Sequence, residues 1–203
     1  MIKQMKLSVS RLAGFADALI AIVITLMVLE IPLPETMETA NLLTFGKSIL
    51  IFFASFIIVG TQWHRHHHLL DGMEKISDSF IWKNLIYFFF LSLMPLFMKW
   101  LILFPSELIP AVCYVVLYML CDFMMRIMFI SRIKKTGATI YSRNKPVIVH
   151  MAISIAFITA TLLLSAAIPL FSVICFIVFP VIMSIMNLFE KENRYETEDS
   201  LVE

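Results

Sequence analysis

The sequence predicts an all-α integral membrane bundle of six transmembrane helices. Three observations lead there. Apolar residues make up 60% of the 203 residues and charged residues only 15%, with a mean hydropathy of +0.89, well outside the usage of soluble domains. Six apolar windows are each long enough to cross roughly 30 Å of hydrocarbon. Lys and Arg gather in alternate connections, as they do in spans of fixed orientation.

The first window, near residues 12–33, ends at Pro32 and Pro34, which cannot continue a helical ladder. A second, near 42–63, runs into "WHRHHH", and the third (81–103) is separated from the fourth (108–130) by "FPSELIP". The fifth (147–168) and sixth (171–189) divide at Pro169 an apolar run about twice as long as one tilted helix needs, so a hairpin is expected there. Of the 16 basic residues, all but Lys47 and Lys99 fall on one side of this arrangement. An even number of spans with both termini in the cytoplasm fits that bias. The first run is too long for a cleavable leader and is expected to remain as the first helix. The expected division is a six-helix membrane domain over 1–190 and a short charged cytoplasmic tail over 191–203.

Several function classes fall away. A net charge of +1 provides no basic field for nucleic acid. Cys113, Cys121 and Cys175 lie in apolar segments without metal-ligand spacing and read as packing. No Gly-rich phosphate loop, HExxH motif or carbonyl filter sequence is present, and the polar residues do not assemble a nucleophile with a base. The expectation is a protein that is not an enzyme and holds no cofactor.

Asp17 stands inside the first span, where a carboxylate is disfavoured unless it faces protein and has a partner. With about 100° per residue, Phe15, Ala18, Ile22, Leu26 and Leu29 fall on one stripe with Thr25 at its margin. Asp17 falls on the other side, which is expected to turn into the bundle. Spacing alone leaves two readings open. Both faces are packing surfaces and Asp17 is a structural clamp, or the stripe has a role of its own.

The segment "RLAGFADALIAIVITLMVLEI" resembles the first-helix signature of the transmembrane protein 175 family, in which Arg is followed after three residues by Phe-Ser-Asp. Arg11, Phe15 and Asp17 match it, and Ala16 replaces the serine. "QWHRHHHLL" and "WKNLIYFFFLSLMPLF" resemble the family's second and third helices, so the likeness covers roughly residues 10–100. It implies a potassium-permeable cation channel in which four copies of a six-helix subunit surround a central pore lined by the first helix. By position, Ile22, Leu26 and Leu29 become the constricting rings, with Thr25 offering a hydroxyl to a partly hydrated ion. Arg11, Phe15, Asp17, Trp63, His66, His67 and Asn84 become a network that fixes the helix at its cytoplasmic end. The implied partners are three further copies of the chain, the bilayer, and potassium and other monovalent cations. The implied location is a bacterial plasma membrane. A proton-coupled or secondary transporter is the alternative, but it needs a titratable group near mid-depth, and Asp17 is shallow.

His64 and His68 stand four residues apart on one helical face and invite a metal reading. Supporting carboxylates and thiols are lacking at helical spacing, apart from Asp71, so no metal site is expected and both imidazoles are expected to point outward. Glu30, Glu35 and Glu38 are read as solvated charge on the outer side.

Overall fold

The computed structural model describes residues 8–136, apart from Glu74, and isolated positions between 152 and 186. The fifth and sixth predicted spans and the 191–203 tail lie essentially outside the described residues. Five helices are described: α1 (Val9–Leu29), α2 (Thr39–Leu70), α3 (Asp78–Ser92), α4 (Met94–Leu103) and α5 (Leu108–Thr136). Four stretches among them are long and apolar enough to cross a membrane, with α3 and α4 forming one of the four. The protein is thus a multi-pass membrane protein.

Helix α1 starts at Ser8, whose hydroxyl oxygen accepts the Arg11 backbone N–H, and stops just before Pro32. Leu12, Ala16, Ile20, Val23 and Met27 are buried, one face built from i, i+4 and i+3 steps. That face packs against α2, α3 and α4, while α5 packs against α2, α3 and α4 from the other side.

Helix α2 has 32 residues, about 48 Å at 1.5 Å per residue, so it is strongly tilted or leaves the roughly 30 Å apolar layer. It ends seven residues beyond the window that hydropathy predicts, so the whole histidine run is helical. Its last carbonyls are capped from a distance. The Arg132 guanidinium donates to the carbonyl oxygens of His68 (2.9 Å), Leu69 (3.0 Å) and Asp71 (2.5 Å), groups that a helix end otherwise leaves unpaired. Gly72, with φ at 64°, makes the turn that follows in a conformation side chains resist.

The third predicted span is one path broken in two. Pro95 has no N–H to give the Leu91 carbonyl, and at Leu93 the N–H bonds back only three residues, to Phe90 O at 3.2 Å. The interior is apolar and rich in methionine and tyrosine. Met27, Met94, Met98, Tyr87 and Tyr114 are fully enclosed, and the Tyr114 hydroxyl donates to Ser55 Oγ at 2.7 Å, which in turn donates to Ile51 O. Phe157 and Phe179, from the two segments read as the last hairpin, stack with centroids 4.0 Å apart.

Candidate functional site

Helix α1 has three faces. Its buried row lies about 120° around the helix from Ile22, and Asp17 lies about 100° further on. Ile22, Leu26 and Leu29 are uncovered in the single chain, at 57%, 46% and 77% exposure, with Thr25 exposed between them. The Thr25 hydroxyl donates to Ala21 O (3.1 Å) and Ile22 O (2.9 Å), which spares it the cost of an unpaired donor on an apolar face. Phe15 is exposed too, its ring edge resting on Phe88 at 5.5 Å.

Asp17 does not point into the bundle as expected. It is exposed at the margin of the packed face, and its Oδ1 accepts the indole N–H of Trp63 at 2.8 Å. The bundle-facing positions are taken by the apolar row of Leu12, Ala16, Ile20, Val23 and Met27. Trp63 in turn lies beside His67, with ring centroids 6.1 Å apart.

The hydrogen bonds found within the expected network form two pairs. In the second, His66 Nε2 lies 2.7 Å from Asn84 Oδ1, both residues buried. Asn84 Nδ2 donates to Phe80 O at 2.8 Å, which orients the amide and leaves Oδ1 as an acceptor. His66 thus carries its proton on Nε2. Its ring stacks on Tyr87 at 5.7 Å, with planes 5° apart, and leans on Phe88 at 5.3 Å. Arg11 joins neither pair among the described residues. Asp17, His66, His67, Asp71, Val9, Ala13 and Leu70 line a cavity of about 140 Å³ between α1 and the end of α2.

One ionic cluster is absent from the sequence-based expectations. Asp122 on α5 accepts from Arg65 Nη1 at 2.5 Å and from Arg126 Nε at 2.6 Å, all three side chains nearly buried. Arg65, from the "WHRHHH" run, is held inside the bundle. The signal that was available is the i, i+4 spacing of Asp122 and Arg126 in an otherwise apolar run. On α1's other end, Lys99 Nζ and Glu30 Oε2 are 2.8 Å apart but partly solvated, so this contact is worth little. No group of three or more metal-ligating side chains converges among the described residues.

Residues 11–95 match the model of the family described as the endosomal/lysosomal potassium channel TMEM175. A protein of Chryseobacterium sp. (strain P1-3) named a potassium channel is 43% identical over 91 residues, which are 45% of this chain and 47% of the relative. The rat protein named endosomal/lysosomal proton channel TMEM175 is 28% identical over 101 residues, 47% of this chain and 20% of the relative. The chain thus aligns with less than half the length of either. The crystal structure of a lysosomal potassium-selective channel TMEM175 homolog from Chamaesiphon minutus superposes with a TM-score of 0.64 at 22% identity. That superposition covers 88% of this chain and 97% of the other, which establishes a shared fold.

Proposed function

We propose, from the match of residues 11–95 to the TMEM175 family model, that this chain is a potassium-permeable cation channel. Four copies surround a pore, and α1 of each lines it. Ile22, Leu26 and Leu29 form apolar rings that conduct when wide enough to stay wetted and block when they dewet. Thr25 stands among them as the hydroxyl nearest the ion. The observation that carries this reading is the uncovered stripe on α1, about 120° from the row that α1 buries in its own bundle.

The name given to the Chryseobacterium relative supports potassium as the permeant ion, and the name of the rat relative makes proton flux worth recording in the same vesicles. A coupled transporter is less well supported. Among the described residues, carboxylate candidates for its titratable site include Asp17, exposed on α1 and bonded to the Trp63 indole, and Asp122, which two arginines already neutralise. The protein belongs in a bacterial plasma membrane with both termini in the cytoplasm, which puts the Asp17–Trp63 and His66–Asn84 pairs at the cytoplasmic end.

The test is potassium efflux from liposomes containing the purified protein, loaded with potassium and diluted into sodium. Efflux above that of empty liposomes is expected. No efflux from folded, inserted protein overturns the proposal. In the same assay Asp17→Asn is expected to lower the flux or the yield of assembled protein and to leave the potassium-to-sodium ratio unchanged, because the carboxylate anchors Trp63 and faces away from the stripe. A changed ratio with full assembly would place Asp17 on the ion's path.

A further inference from the structure

We infer that His64 and His68 form a binding site for a transition-metal ion on the outer surface of α2. The two Nε2 atoms lie 3.1 Å apart, and the rings meet edge to face with centroids at 4.4 Å and planes 88° apart. Two imidazole nitrogens at about 2.0–2.1 Å from one zinc ion stand roughly 3.3–3.4 Å apart at a tetrahedral angle and about 2.9 Å apart at a right angle. The observed separation falls between these values, so the two nitrogens already stand at a chelating distance and the rings need only turn their lone pairs from each other toward a shared ion. Both residues sit near the end of a helix whose last turn is held by Arg132 through the His68, Leu69 and Asp71 carbonyls, so the backbone under the pair is fixed before any ion arrives.

The chemistry selects the ion class. Two neutral imidazoles suit zinc, copper and nickel and are poor ligands for magnesium or calcium. The proton now shared between the Nε2 atoms belongs to one ring. On ligation that ring shifts to the tautomer protonated at Nδ1, and no net proton is released. Water fills the other coordination positions, which makes the ion exchangeable. The neighbouring cavity is a weaker candidate, because His66 Nε2 there is already committed to Asn84. This site does not depend on the channel reading.

The experiment is calorimetric titration of the detergent-solubilised chain, free of any polyhistidine tag, with zinc chloride and with magnesium chloride. One zinc per chain and no magnesium are expected. His64→Ala and His68→Ala should each weaken zinc binding by more than the roughly 10- to 100-fold that loss of a supporting partner alone costs, and His67→Ala should not. Copper titrated in place of zinc should show electron paramagnetic resonance coupling to two nitrogens in the unmodified chain and to one in either variant. Unfolding temperatures in chelator establish that the variants fold, with His64→Asn and His68→Asn as substitutes if the alanine forms do not. No zinc heat beyond the magnesium control overturns the proposal. So does zinc binding that survives both variants, or that is lost in His67→Ala instead.

Discussion

Asp122→Asn is expected to destabilise the folded chain by about 3–5 kcal/mol, the cost of breaking a buried ion pair from one side. Among the described residues the carboxylate is the only anion between Arg65 and Arg126, and it uses a different oxygen for each. Without its charge two guanidinium groups face each other inside the bundle, where like charges are poorly screened. Neither has water within easy reach, since all three side chains are nearly buried. Thermal unfolding in detergent measures the loss. The comparison that isolates the cause is the triple variant Arg65→Met, Asp122→Leu, Arg126→Met, which removes the charges together. It should recover most of the lost stability, because apolar replacement of a whole buried ion cluster is often neutral or better. An unfolding temperature for Asp122→Asn equal to that of the unmodified chain would mean that the arginines reach solvent.

This cluster also shows where sequence reading stops. The first four spans were legible, because an apolar run's length maps directly onto bilayer thickness. Helices α1 and α5 begin within a few residues of the expected windows. The end of α2 was not legible. Its last residues are polar, so hydropathy falls while the backbone stays helical, with Arg132 supplying the cap from 61 or more positions away in the chain. Arg65 and Asp122 are 57 positions apart, and nothing local tells one which charge it meets. For Asp17 the need for a partner followed from its depth in an apolar helix. The identity of that partner, Trp63 and not Arg11, depends on how α1 and α2 are rotated against each other, which no single-helix pattern records. The Ile22, Leu26 and Leu29 stripe was visible because it is a property of one helix alone, and in the structure these are residues the chain leaves uncovered.

That contrast between two faces of one helix leads to the second large effect. Ile22→Asn is expected to raise potassium efflux at least tenfold, whereas Ile20→Asn, two residues away, should lower the yield of folded protein and give no such rise. Ile20 is enclosed by its own bundle at 2% exposure, so a side-chain amide there loses its water and finds no designed partner, costing about 1–3 kcal/mol. Ile22 is 57% exposed, and an amide on that face costs the single chain little. In the assembled pore it would stand in a ring with three copies of itself and hold water at the constriction. A tenfold rise in flux needs a barrier lower by about 1.4 kcal/mol, or about 0.35 kcal/mol from each of four side chains, less than half of the roughly 0.8 kcal/mol that a single buried methylene represents. Equal reconstitution of the two variants, followed by potassium efflux into sodium, makes the measurement. If Ile22→Asn conducts no better than the unmodified chain while folding normally, the stripe faces lipid, and the α1 pore is wrong even if the protein conducts by another path.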